Sequence, residues 1–188
     1  MAATEVILGS GNATGMFYHA PAGTKLPDGP FDTIATEWER VGDITSDGIT
    51  LNMDKSSENL KNWANKVKRT ILTDHSESVE APIMDTTEDT MKVIFGEDNV
   101  KVTSATAEHG KLISVNVSAD NLPDPEAFLF LVKDGDAGVL IGASNAQMSS
   151  VGSVSFAPGG AINWTATFNG QKDGWQVIVD DGDRVASA

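Results

Sequence analysis

The chain has 188 residues, 27 acidic against 13 basic, a net charge of -14, no cysteine, 40% hydrophobic residues and a mean hydropathy of -0.16. Without cysteine there are no disulfides, no thiolate catalysis and no cysteine–zinc sites. A chain this acidic is unsuited to wrapping nucleic acid or to adhering to anionic membranes. The apolar fraction suits one globular domain that buries roughly 70% of its unfolded surface. No apolar run reaches the length of a membrane helix, and Met1–Ser10 lacks the basic start of a signal peptide, so the expectation is a protein made in a cytoplasm.

Residues 1–35 are rich in glycine and proline and read as an extended arm, with a short strand near Met16–His19. The remainder, 36–188, reads as one domain. Glu37–Ile44 and Gly48–Met53 are expected strands around an Asp47–Gly48 turn. Asp54–Asn65 is polar and reads as a loop, part of a longer one over about 45–65. Lys66–Thr73 and Ser78–Met84 are expected to form a hairpin turning at Asp74–Ser76.

One helix is expected over about 86–95. Thr86 would cap it with Asp89 three residues on, Met91, Ile94 and Phe95 form its apolar stripe, and Gly96 stops it. Strands resume at Val100–Thr103, Lys111–Ser118, Phe128–Val132 and Val139–Ile141. The last two flank the Asp134–Gly135–Asp136 turn. Ile162–Phe168 and Trp175–Val179 alternate apolar and polar residues, the mark of strands with one wet face. Many short strands with turns between them indicate a mainly β chain: an antiparallel sandwich or barrel with one flanking α-helix.

Chemistry is sparse. His19, His75 and His109 lie far apart with no group nearby to orient a base, and read as exposed loop histidines. Gly9–Gly15 superficially resembles a dinucleotide-binding turn, but Thr14 stands where a glycine is needed and Pro21 precludes a following helix. Asp134–Asp136 and Asp180–Asp183 lack the spacing of a calcium loop: with Asp134 as position 1, position 12 is Asn145 rather than Glu. No catalytic residue, metal ligand or cofactor is expected. Trp164 and Trp175 fall on expected core faces. Trp63 sits beside Leu60 in the polar loop, where the pair either docks another subunit or folds back into its own core.

Several local patterns resemble the tail tube (major tail) proteins of long non-contractile-tailed bacteriophages. Gly15–Pro27 is similar to the family's aromatic strand leading into Ala-Pro-x-Gly-Thr-x-Leu-Pro. Trp38–Ile49 resembles its apolar-Gly element followed by Asp-Gly-Ile. Trp63–Ala64–Asn65 stands where the family has Trp-Gly-Gly, and Phe95–Val100 resembles its Tyr-Gly-Asp-x-Asn-Val after the helix. The ordered match runs over about residues 15–100.

The resemblance implies hexameric rings in which one sheet of each subunit joins a continuous barrel, and rings that stack into a tube for viral DNA. Its partners would be itself, the tape measure protein, and the tail terminator and distal tail proteins. The long loop and the arm would bridge rings, making Asp47, Gly48, Leu60 and Trp63 inter-subunit candidates. An acidic lumen would keep DNA phosphates from adhering, with Asp74, Glu77 and Glu80 as lumen candidates. The high like charge of each ring implies that salt favours polymerisation. Alternatives are a monomeric immunoglobulin-like binding or decoration module of a virion or adhesin, and the tube of a contractile injection system.

Overall fold

The structure is a computed structural model that describes residues 17–118 and 120–183. In chain order its elements are β1 (Phe17–Pro21), β2 (Glu39–Gly42), β3 (Thr50–Lys61), β4 (Val67–Ile83), α1 (Glu88–Phe95), β5 (Val100–Thr103), β6 (Leu112–Val115), β7 (Glu126–Asp134), β8 (Ala137–Val151), β9 (Trp164–Gly170) and β10 (Gln176–Asp180), with a 3-10 turn at Glu97–Asn99. All strand pairs are antiparallel. The expected β-sandwich with one flanking helix is what the chain forms.

The main sheet runs β2-β1-β7-β8-β9-β4-β3, with β10 also on β8; β5 and β6 form a separate pair. β8 is long enough to serve two leaves. Its first part pairs with β7 and β10, and its pairing passes at Ala146 from Glu126 of β7 to Gly170 of β9. Bulges near Phe128 and Ser149 accompany the change, and bulges bend strands. The leaves β2-β1-β7-β8-β10 and β8-β9-β4-β3 enclose one core.

Aromatic rings fill that core. Phe17 stacks on Phe130 at 4.4 Å, and Phe128 lies 4.5 Å from Phe168 of the second leaf. Met91, Val93 and Ile94 of α1 close it from one side. β7 is buried on both faces: Phe128 and Phe130 point to this core, while Ala127, Leu129 and Leu131 are covered by Leu26 and Trp38. Its unbroken apolar run follows from that double burial.

Of the expected arm, residues 1–16, including the Gly9–Gly15 stretch, lie outside the described residues. Phe17–Pro21 is an inner strand between β2 and β7, and the segment after it supplies the cover for β7.

Two local expectations are corrected. Asp54–Lys61 is strand rather than loop, and β4 runs through Asp74–His75–Ser76 without turning. Both faces of these segments meet water, so no apolar alternation marks them in the sequence. Cross-strand pairing of Asp54, Lys55 and Ser56 with Ser76, His75 and Asp74 keeps the turn-forming residues extended.

The helix starts one residue later than expected. Thr87 is the N-cap, and its hydroxyl accepts the Thr90 N–H at 3.2 Å. Thr86 instead accepts the Trp164 indole N–H at 3.0 Å. Thr90, fully buried, donates to the carbonyl of Val41 and ties α1 to β2. Gly96, at φ 85°, ends the helix by donating to the Lys92 carbonyl.

Candidate assembly surfaces

Beyond the body the β3–β4 pair continues as a two-stranded ribbon. Every residue from Asn52 to Ser76 is exposed. Met53, Leu60, Val67 and Leu72 are among its half-exposed or more exposed apolar side chains. A lone two-stranded ribbon is marginally stable in water. Apolar residues displayed on it make it a candidate surface for contact with another chain.

The ribbon ends in a tight turn. The Asn65 N–H donates to the Asn62 carbonyl at 2.8 Å, and the Lys66 N–H to the Asn62 side chain at 2.9 Å. Asn65 takes φ 60°, a conformation that asparagine tolerates better than most residues. It performs the role of a glycine where the similar family motif has one. Trp63 is fully exposed at this tip, with Leu60 beside it. Of the two sequence-based readings of this pair, the isolated subunit shows the unburied one.

Asp47 and Gly48 lie elsewhere. Their turn closes through the Gly48 N–H on the Thr45 carbonyl, and Thr45 itself donates to Pro82 at the body end of β4. With about 3.3 Å per residue along β3, they stand roughly 40 Å from Leu60. The single bridging loop expected around them is two surfaces at opposite ends of one strand.

The three acidic candidates also separate. Register places Thr50, Asn52, Asp54 and Ser56 opposite Glu80, Ser78, Ser76 and Asp74, so Asp74 and Glu80 share a face. Glu77 pairs with Met53 on the other face. There its carboxylate is largely buried and accepts the Trp175 backbone N–H at 3.0 Å. Glu77 is a structural residue of the core side.

The face carrying Glu80 extends across the second leaf. Asn52, Ser78, Asn169 and Gln147 form one row, and Thr50, Glu80, Thr167 and Ser150 the next. The opposite face of the same strands is Val79, Phe168 and Met148, all buried. One side of the leaf is therefore core, and the other a band of mostly uncharged polar side chains.

Whole-chain charge conceals a segregation at the tip. Residues 59–73 contain Lys61, Lys66, Lys68 and Arg69 and no acidic residue. This signal was present in the sequence as a local reversal of sign.

The histidines do not converge. His19 is not in a loop: it lies half-buried in β1, with Nδ1 3.0 Å from Glu126. His75 is on β4, also a strand position, and His109 is half-buried, its Nδ1 2.8 Å from the Gly110 carbonyl. Asp180 and Asp181 accept the N–H groups of Gly182 and Asp183, which makes them local turn caps. Lys111 and Lys92 hydrogen-bond Glu88 and hold its carboxyl at a pKa of about 2, fastening α1 to the segment before β6.

The family model described as phage tail tube protein matches residues 4–183. The chain belongs to the phage tail tube protein family. No curated protein matches it. A tail tube protein is a structural component of the tail and hence of the virion, and its family is one of self-associating subunits rather than enzymes. The exposed ribbon, its apolar tip and the end of the sheet at β3 are the candidate surfaces for self-association. Among the described residues no helix is long and apolar enough to cross a membrane.

Proposed function

We propose that this tail tube protein closes into hexameric rings that stack as the tube of a long non-contractile tail, a conduit for DNA ejection. The observation that carries this reading is the edge of β3, which among the described residues pairs only with β4 along its length. An unpaired edge is a template for another chain, and closure into a barrel removes it. In this reading the leaf β8-β9-β4-β3 enters the ring and turns its polar band to the lumen. Asp74 and Glu80 supply negative charge there, and the uncharged Ser, Thr, Asn and Gln neighbours offer phosphate no cation to hold.

Asp47 and Gly48 at one end, and Leu60 and Trp63 at the other, are then the contacts between successive rings, joined by the N-terminal segment. Repeated head-to-tail contacts generate an open filament. The tape measure protein occupies the lumen during assembly and sets tube length, and the tail terminator and distal tail proteins cap the ends. The subunit is made in the bacterial host cytoplasm and ends in the virion tail.

Negative-stain electron microscopy of the purified chain at high concentration, in low and high salt, tests the reading. Hollow tubes or stacked rings of uniform width are expected. Compact monomers under every condition would overturn it.

A further inference from the structure

The hairpin tip combines two features that are unfavourable in an isolated subunit. Trp63 holds its indole fully in water, and Lys61, Lys66, Lys68 and Arg69 crowd around it without an acidic neighbour in residues 59–73. One kind of receptor relieves both: an apolar floor with an acidic rim.

The chain carries such a receptor. A cleft of about 390 Å³ lies where the end of β1, the start of β2 and the segment entering β7 meet. Ala20, Pro21, Ala22 and Pro125 form its apolar part. Glu37, Glu39, Asp124 and Glu126 surround it, the first three exposed, with His19 beside Glu126 at 3.0 Å. A second hollow of about 300 Å³ adjoins it, shares His19, Glu39, Asp124 and Glu126, and adds Asp89, Glu97 and Lys92 from the α1 side, Lys92 being paired with Glu88 at 2.8 Å and Glu97 at 3.9 Å.

A subunit's own tip cannot enter its own cleft. β4 runs from the tip to Ile83, which bridges Ile44 just after β2, and α1 follows directly. The cleft is walled by β2 and, through the adjoining hollow, by α1, so it belongs to the end of β4 remote from the tip. The 17 residues of β4 span roughly 55 Å at 3.3 Å each. Tip and cleft are the head and tail of a heterologous contact.

We propose that Trp63 of one copy seats in the Ala20–Ala22/Pro125 cleft of a second copy in the neighbouring ring, with the tip cations against Glu37, Glu39 and Asp124. This deepens the tube reading and rests on it. It also reverses the expected effect of salt for this contact. Screening relieves repulsion within a ring but weakens the attraction of tip for cleft, so rings persist and stacks shorten as salt rises.

The test is a charge exchange in the full chain. One variant carries Lys66→Glu, Lys68→Glu and Arg69→Glu; another carries Glu37→Lys, Glu39→Lys and Asp124→Lys; a third carries all six. All six positions are exposed, so folding is expected to survive and is checked by circular dichroism. Each triple variant is expected to form rings but to need about tenfold more protein, or greater, to stack. The six-fold variant restores stacking, because the complementary charges are exchanged rather than lost. Acrylamide quenching of Trp63 falls on stacking of the wild type, and Trp63→Ala weakens stacking without loss of fold.

If the wild type forms tubes and the tip variant stacks equally well, this inference fails and the tube reading stands. Failure of the six-fold variant to recover, while it still forms rings, places the tip on some other surface and overturns the assignment of the cleft. A wild type that stays monomeric overturns both readings. Retention of labelled duplex DNA by wild type, lost in the tip variant, assigns the tip to nucleic acid and overturns the proposal.

Discussion

Glu77 Oε1 accepts the backbone N–H of Trp175 at 3.0 Å, a link across 98 positions of sequence between β4 and the turn before β10. The turn comes so close because Gly174 has no side chain. A Cβ there would lie 1.8 Å from the same carboxylate oxygen, at a φ of 66° that side chains disfavour. Glu77→Ala leaves this N–H without its partner, and a cost of about 1–3 kcal/mol is expected in urea unfolding. Gly174→Ala is expected to cost at least about 1–2 kcal/mol from backbone strain alone. Asp74→Ala and Glu80→Ala, both exposed, should stay within about 0.5 kcal/mol of wild type. Equal effects at all three acids would contradict the separation of Glu77 from the other two.

Glu88 links acid stability to the helix. Hydrogen bonds from Lys111, then from Lys92, lower its pKa from the ordinary 4.5 to about 2. A carboxyl with a depressed native pKa stabilises the fold above its unfolded pKa, and the contribution is lost as pH falls through the native one. The wild type should therefore exceed Glu88→Gln in Tm at pH 6 by a constant margin that shrinks between about pH 4.5 and 2. The group is solvent-accessible, so the margin is modest and falls with added salt. A margin that persists at pH 2 would mean that the ion pair is not its source.

The helix start gives a sharper contrast. Thr87→Ala removes the cap on Thr90 and is expected to cost about 1 kcal/mol. Thr86→Ala leaves the cap in place and removes only the hydrogen bond from the partly exposed Trp164 indole, so its cost should be smaller. Thermal unfolding of the two variants orders them, and the reverse order would place the cap at Thr86.

What the sequence disclosed follows from burial. Wherever one face of a strand is core and the other wet, as in Trp164–Gly170, period-two alternation is visible and the strand was legible. β3 beyond Leu51 and the outer part of β4 have two wet faces, so alternation vanishes, and Asp54–Asn65 reads as loop although it is mostly ribbon. Phe17–Pro21 is short and glycine-flanked, which hides that Phe17 is fully buried at the centre of the aromatic core. Among the assembly residues, Trp63 and Leu60 were legible because apolar side chains in a polar stretch require an explanation. Of the three acids Asp74, Glu77 and Glu80, the first and last share a face of β4 and Glu77 lies on the other. Odd spacing puts Glu77 and Glu80 on opposite faces of a strand, and the place of Asp74 relative to them was hidden because Asp74–Ser76 reads as a turn where β4 runs straight.

The tip turn closes the ribbon at its end remote from the core. Asn65 at φ 60° can be replaced by glycine without strain, whereas a β-branched residue there faces about 1–2 kcal/mol. Asn65→Gly should leave ring stacking unchanged. Asn65→Val should open the Asn62–Lys66 bonds, speed amide exchange at the tip and impair stacking, with no change in Tm, because no residue of the tip is part of the core. A fall in Tm would show that the ribbon is coupled to the sandwich rather than independent of it.

The polar band leads to the last expectation. Asp74 and Glu80 lie on one face with Ser76 and Ser78 between them, and neither forms part of the core. If that face lines the lumen, Asp74→Lys with Glu80→Lys converts a surface that repels phosphate into one that holds it, at twelve positions around each hexameric ring. Tubes should form at the wild-type concentration and look the same in negative stain. In virions assembled with the variant, DNA release should slow, most strongly in low salt, where counterion screening of the new lysines is weakest. Release kinetics read by dye accessibility of the ejected DNA measure this directly. Failure to assemble at all would locate the two acids in a subunit contact, whereas unchanged release from intact tubes would turn the polar band to the outside.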